Sequence, residues 1–509
     1  MCLPLTYARI HPFQSQCPLG YLNSPTHCSN SKAYNNMKSK AHTFKPQANL
    51  ALKNETLQRA LTRTRSHFID KRRAAVQALP EFEALRHRAY EIKEHTLTHL
   101  DFYLEKLEQQ VHASGGQVHW ALTPQTACDE IIAICQAAKA QRIIKGKSMM
   151  SEEINLNQAL EIAGFEITET DLGEYIIQLA QEPPSHIIAP AVHKTREDIS
   201  KLFHQHHQKY GLTEHLTDIP DLVNEARRVL RNKFLNAEVG ITGANFLIAE
   251  TGSVILVTNE GNGDLTSTLP RVHIVVASIE KVVPTLEDAT TLLRLLARSA
   301  TGQEITSYTS LFTGSRRPED LDGPTEFHLV LVDNGRSTML GNEFHDMLRC
   351  IRCGACLNHC PVYNAVGGHA YGWVYPGPMG SVLTPLMAGL AAAKDLPNAS
   401  TLCGRCQEVC PMQIPLPKLL RQLRVKEHQT QLSPLRTRWS LAWWSILAQR
   451  PRLYHYLAAV TMRFLGHLGR RRGAFRYLPF AKGWTAARDL PAPPGETFME
   501  MWKKRQIKS

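Results

Sequence analysis

Leu97, Leu100, Leu104, Leu107 and Val111 recur at steps of three and four, the spacing that gathers apolar side chains on one helix face. Gly115-Gly116 follows and ends the helix. From about residue 117 the pattern changes to short apolar runs alternating with amphipathic stretches. Runs at 118–122, 142–147, 165–169, 186–189, 239–242, 253–258, 272–277 and 327–332 predict strands. Helices are expected over 124–140, 152–163, 221–235 and 286–299. This alternation predicts an α/β layered domain on a mostly parallel sheet. Cys128 and Cys135 fall in an expected helix and read as core residues. Further on, 381–394 is rich in alanine and leucine and reads as helix.

The 509 residues thus divide into an irregular N-terminal extension (1–45), a helical N-terminal region (46–116), the α/β domain (117–337), a cysteine-bearing segment (340–425) and a basic, aromatic-rich C-terminal segment (426–509). Residues 1–36 contain no apolar core of a secretory signal. Met37 is a second candidate start, which would make those residues an artefact; Cys2, Cys17 and Cys28 within them receive no role.

Charge changes the picture only at one end. The net +12 is carried by residues 433–509, where fifteen Lys and Arg face three acids, Asp489, Glu496 and Glu500. The remainder is neutral overall, and no nucleic-acid-binding module is present, so a nucleic-acid partner is not expected. Trp439, Trp443, Trp444, Tyr454, Tyr456, Phe464 and Trp484 are interleaved with these cations. The apolar stretches here are about ten residues each, too short to span a bilayer. Docking on anionic lipid or on a partner subunit, or simple packing on the protein itself, fits such a segment.

Seven of the twelve cysteines carry the candidate chemistry. Cys350, Cys353, Cys356 and Cys360 read C-x2-C-x2-C-x3-C, and Cys403, Cys406 and Cys410 read C-x2-C-x3-C; Pro361 and Pro411 follow. The first spacing is that of bacterial-type ferredoxins, in which three thiolates hold one cluster and the fourth crosses to its neighbour. Zinc favours four ligands in two separated pairs, a poor match. Without a secretory signal the thiols are expected to be reduced and cytoplasmic. The crossing rule assigns Cys350, Cys353, Cys356 and Cys410 to cluster 1, and Cys360, Cys403 and Cys406 to cluster 2. Cluster 2 is one thiolate short, because Ser400 stands three residues before Cys403. It is therefore either a [4Fe–4S] cluster with a non-cysteine fourth ligand or a [3Fe–4S] cluster. Helical filler between the arrays points to an α-helical ferredoxin-type two-cluster module.

The polar loops of the α/β domain are less specific. Thr242-Gly243-Ala244-Asn245 and Thr258-Asn259-Glu260-Gly261-Asn262-Gly263 follow expected strands, where open α/β sheets bind ligands. The same residues also make ordinary turns. Lys147-Ser148 lacks the glycine-rich spacing of a phosphate loop. His369, in a Gly-rich loop, reads as a backbone hydrogen-bonding residue.

Taken with Lys147-Ser148-Met149-Met150-Ser151-Glu152-Glu153, Thr170-Asp171-Leu172-Gly173-Glu174-Tyr175, Pro183-Pro184-Ser185-His186, the 251–263 run and Val332-Asp333-Asn334-Gly335-Arg336-Ser337, the chain closely resembles the lactate-utilisation protein B family from about residue 45 onward. The resemblance implies an α/β domain like those of sugar-phosphate isomerases and CoA transferases, then a two-cluster ferredoxin module and a helical C-terminal segment. It implies two [4Fe–4S] clusters on the seven cysteines and a place as iron–sulfur subunit of a three-protein system oxidising L-lactate to pyruvate. Its expected partners are two other lactate-utilisation subunits and an unidentified electron acceptor. The expected location is cytoplasmic, with peripheral contact at the inner membrane face open. A generic electron carrier for another dehydrogenase, with the α/β domain as docking scaffold, is the alternative. Catalytic residues are not identified, and no flavin or nicotinamide fingerprint is present.

Overall fold

The structure, a computed structural model, describes residues 39–478, 482–485 and 488–508. The N-terminal extension up to residue 38, including Cys2, Cys17, Cys28 and Met37, lies outside the described residues.

The α/β region holds ten strands in chain order: β1 (Gln117–Ala121), β2 (Arg142–Lys145), β3 (Glu166–Glu169), β4 (Val239–Gly243), β5 (Phe246–Ile248), β6 (Ser253–Thr258), β7 (Val272–Ser278), β8 (Val282–Val283), β9 (Tyr308–Phe312) and β10 (Glu326–Val332). Six of them lie side by side as β1-β10-β7-β4-β2-β3, every neighbouring pair parallel. The α/β domain expected from the alternation is thus formed. β7 is buried at every position, as a strand covered on both sheet faces must be. A second, mixed sheet, β8-β5-β6-β9, lies between the crossovers of the first in sequence.

One hydrophobic core joins Phe44, Leu79 and Phe82 of the helical N-terminal region, Leu292 and Leu295 of the helix Leu286–Ala300, and Leu357, Leu383 and Leu420 of the cysteine-bearing region. A second compact unit comprises residues 427–509. It contains the helices Leu435–Ala448 and Pro451–Gly469, with Trp439, Trp443 and Trp444 exposed. No helix among the described residues is long and apolar enough to cross a membrane.

Four local expectations change. The stretch 186–189 is not a strand: His186 Nδ1 accepts from the backbone N–H groups of Ile188 and Ala189 at 3.0 and 3.1 Å, which takes up the donors a ladder would need. The expected helix at 152–163 is two, Met149–Glu153 and Leu156–Ile162, because Asn155 adopts left-handed backbone at φ 56°. The 97–111 face spans the end of Phe82–Thr98 and the start of Leu100–Ala113, which break at His99 yet bury all five apolar residues. The alanine-rich helix runs Gly377–Met387 and stops two residues before Gly389, whose φ is 90°.

The loop around His186 docks on the cysteine-bearing region. With Nδ1 accepting, Nε2 carries the proton and donates to Asn358 Oδ1 at 2.9 Å. Tyr363 Oη donates to the Ser185 carbonyl at 2.9 Å, and a Cβ on Gly368 would sit 1.7 Å from that oxygen. Only glycine permits this approach.

Candidate functional site

The two cysteine arrays have the same backbone signature. Arg352 and Gly354 flank Cys353 with φ of 59° and 74°, and Leu402 and Gly404 flank Cys403 with φ of 54° and 85°. Each array continues into a four-residue helix, Ala355–Asn358 or Arg405–Glu408, that carries the next cysteine. Cys353 thus corresponds to Cys403, Cys356 to Cys406 and Cys360 to Cys410, which puts Ser400 in the register of Cys350. Ser400 Oγ accepts from the backbone N–H of Leu402 at 3.1 Å.

The structure brings one cysteine of the second array to those of the first. Cys350, Cys353, Cys356 and Cys410 line one cavity whose other walls include Met347, Ile351, Leu357, Met379, Met412 and Ile414. Burial pushes the Cys356 and Cys353 thiols well up, and each feels Cys350 and Cys410 as further upward influences. Cys410 is pushed up to about 11, again mainly by burial. Cys360 and Cys406 are buried and Cys403 is exposed. Burial raises Cys406 to about 12, with Cys360 and Cys403 next in effect. Four thiols around one water-poor cavity suit a [4Fe–4S] cluster, whose ligands are thiolates and whose charge a buried apolar wall would otherwise disfavour. The second set offers three sulfurs with one of them at the surface.

Backbone amides address these sulfurs: Ala355 toward Cys353, Val362 and Tyr363 toward Cys360, Arg405 toward Cys403, and Met412 and Ile414 toward Cys410. Amide-to-sulfur contacts of this kind set cluster potentials. Two arginines from the helix Glu55–Gln77 and the helix Phe82–Thr98 hold the second array. Arg72 Nη2 donates to the Val409 carbonyl at 3.0 Å, and Arg86 Nη2 to the Cys410 carbonyl at 2.8 Å.

Arg352, between Cys350 and Cys353, also begins a buried ion chain. Its Nη2 meets Glu280 Oε1 at 3.1 Å, and the other Glu280 oxygen lies 2.8 Å from Arg336 Nε. Arg336 in turn meets both oxygens of Glu153 at 2.7 and 2.8 Å, and Tyr375 Oη donates to Glu153 Oε2 at 2.6 Å. Arginines 336 and 352 hold Glu280 down to about 2 against the upward push of its burial.

Above this chain opens a cavity of about 280 Å³. Its walls come from the β2 exit (Lys147, Ser148), the β4 exit (Asn245), the loop after β6 (Glu260, Asn262), Lys281 beyond β7, and Ile351 and Arg352 of the first cysteine array. It lies at the carboxyl ends of the parallel strands, where open α/β sheets take ligands. Asn259, a candidate from the sequence, is mainly structural: it exchanges hydrogen bonds with Gln303 and accepts from Ser307 N–H at 3.0 Å. Glu260 accepts from Leu172 N–H at 3.4 Å and borders the cavity. His369 Nε2 bonds the Pro183 carbonyl at 2.8 Å, as read from its loop.

Comparison with known proteins fits this geometry. Residues 104–332 match the LUD domain, residues 346–414 the 4Fe-4S dicluster domain, and residues 421–507 the C-terminal region of lactate utilisation protein B. Lactate utilization protein B of Bacillus pumilus (strain SAFR-032) is 43% identical over 475 residues, covering 92% of this chain and 99% of that protein. Its namesake in Lysinibacillus sphaericus (strain C3-41) is 43% identical, covering 93% and 98%, and that of Shouchella clausii (strain KSM-K16) is 44% identical, covering 91% and 97%. The chain belongs to the lactate utilization protein B family.

As a member of that family the chain carries a LUD domain and a 4Fe–4S dicluster domain in one polypeptide. A crystal structure of a DUF162 family protein from Deinococcus radiodurans aligns with 46% of this chain and 98% of its own at 14% identity and a TM-score of 0.26, a likeness too slight to bear on the fold. The cavity draws on both domains, since Lys147 and Lys281 fall in the LUD match and Arg352 in the dicluster match. Sequence reading missed Arg72, Arg86, Lys281 and Glu280, and quoted Glu153 in a family segment without a role. Arg336 lay in a quoted family segment without a role, and Arg352 was visible only as a cation between two cysteines.

Proposed function

We propose that this family member is the iron–sulfur electron-transfer subunit of a system that oxidises L-lactate to pyruvate. It would work with two other lactate-utilisation subunits, an unidentified electron acceptor and a cytoplasmic location. The crossed gathering of seven cysteines into two neighbouring sets carries this reading. On this reading Cys350, Cys353, Cys356 and Cys410 hold one [4Fe–4S] cluster. Cys360, Cys403 and Cys406 hold a second, whose fourth position is open to a non-cysteine ligand or left as [3Fe–4S]. When bound, such clusters take and release electrons singly, so two of them divide the pair that a 2-hydroxy acid gives up. The protein's residues supply the surroundings: apolar walls exclude water, amide N–H groups and Arg72 favour the reduced state, and Arg352 ties the first array to the sheet.

The exposed tryptophans and cations of residues 427–509 fit docking on a partner subunit. A generic carrier serving another dehydrogenase is the second reading.

Iron and sulfide counts with EPR on anaerobically purified protein, together with growth of a deletion strain on lactate as sole carbon source, test the proposal. About seven to eight irons and two interacting signals are expected, with growth lost in the deletion strain. One cluster or none sinks the cluster assignment, and unimpaired growth favours the generic carrier.

A further inference from the structure

Two cations in the cavity have unused capacity. Lys281 makes no hydrogen bond or ion pair among the described residues, and it lines the cavity wall. Arg352 uses Nη2 on Glu280 and stacks over Tyr375 at 5.0 Å, but its buried Nη1 has no hydrogen-bond partner. The Arg352 side chain is 10% exposed. Lys281 and Arg352 are close enough for each charge to act on the other. A buried guanidinium nitrogen without an acceptor is costly, and a carboxylate is the acceptor that matches its geometry.

The rest of the wall narrows the ligand. Charged groups number three cations, Lys147, Lys281 and Arg352, against two acids, Asp171 and Glu260. Glu280 already offsets Arg352, so of these two Lys281 is the cation without a counter-charge in contact, which suits one negative charge rather than two. Thr258 Oγ1, also on the wall, is buried without a hydrogen-bond partner and calls for a second polar group on the ligand. At about 280 Å³ the space lies just under the range of drug-sized ligand sites and suits a small acid.

We propose that this cavity binds a small monocarboxylate bearing oxygen on the neighbouring carbon, a 2-hydroxy or 2-oxo acid, with its carboxylate on Lys281 and Arg352. The inference rests on the lactate-oxidation reading and deepens it. The acid then lies on this subunit, against Arg352, which directly precedes Cys353 of the first array. Both domains are needed to complete the site, which gives a physical reason for their fusion in one chain.

The test is calorimetric titration of the cluster-loaded full chain, purified without oxygen, with L-lactate, with pyruvate and with inorganic phosphate. Saturable binding of at least one acid, tighter than phosphate, is expected. Lys281→Met should weaken it about ten- to a hundredfold, the range for losing one charge-assisted hydrogen bond, and Lys281→Arg should retain most of it. The same acid should protect Lys281 of the wild-type chain from reductive methylation read by peptide mass spectrometry, a measurement that needs no variant. No saturable binding, phosphate as the tighter ligand, or undiminished methylation overturns the proposal. Iron content and EPR are read on the same samples. Full clusters without acid binding remove the site alone, whereas acid binding without clusters removes the electron-transfer reading instead.

Discussion

Arg336 and Glu153 face each other in a two-point pair, Nη1 to Oε1 at 2.8 Å and Nη2 to Oε2 at 2.7 Å, with side chains 1% and 0% exposed. Arg336 follows β10, Glu153 ends the helix after β2, and Glu280, its second partner, follows β7. Three strand exits are thereby fixed to one guanidinium, and Arg352 extends the chain into the first cysteine array. Arg352 on Glu280 and Tyr375 on Glu153 join this cluster of charges to the cysteine-bearing region.

Breaking that pair on one side leaves a buried charge without compensation. Arg336→Met is expected to cost about 3–5 kcal/mol in unfolding free energy. Glu153→Gln combined with Arg336→Met should recover part of it, since neither charge is then stranded. Denaturant unfolding of the four proteins of the cycle under anaerobic conditions checks this. Equal losses in the single and the double variant would show that packing, not charge, is at stake.

The proposed crossed assignment separates cysteines that are neighbours in sequence. Cys410→Ser should erase the same EPR signal as Cys353→Ser, although Cys410 belongs to the second array. Cys403→Ser should erase the other. Each substitution should lower iron by about half. Grouping by array, with Cys410 behaving like Cys403, would contradict the pairing.

Arg72 is buried beside Cys353 and Cys410 and donates to the Val409 carbonyl. Its positive charge favours the more negative, reduced state of a cluster held there. Arg72→Met should therefore move one midpoint potential to a more negative value and leave the second nearly unchanged, as measured by EPR-monitored redox titration. Equal shifts in both signals would count against a local charge effect.

Glu174 is buried near Glu152 and Glu169, and its carboxyl is held well above the ordinary value, first by burial and then by those two carboxylates. The folded protein therefore keeps a proton that the unfolded chain releases as pH rises past about 4.5. Stability linked to this group is full in acid and declines as pH rises above that value. Glu174→Gln imitates the protonated form and removes the dependence. Its thermal midpoint should exceed the wild type by about a few degrees at pH 8 and differ little at pH 5. A gain that is the same at both pH values would point to another cause.

Legibility in the sequence followed the range of the interactions. Strand and helix positions in the α/β domain were readable because periodicity is local, and the buried face at Leu97–Val111 survived a helix break at His99 unnoticed by the pattern. Segment 186–189 misled because its apolar run is that of a strand, while the deciding event, an imidazole accepting two amides, is a side-chain rotation. Asn155 split an expected helix through a backbone angle that composition does not reveal.

The sequence by itself determined the sulfur ligands available, their spacing, the missing eighth thiol at Ser400 and the alternation that makes a parallel sheet. These are properties of neighbours along the chain. Only the tertiary structure decided that Arg72 and Arg86 reach the second array, and that Lys281 and Arg352 line one small cavity. The physical reason is separation: Glu153, Glu280, Arg336 and Arg352 act on one another only after folding brings strand ends together, and no local pattern encodes which buried charge will neutralise which.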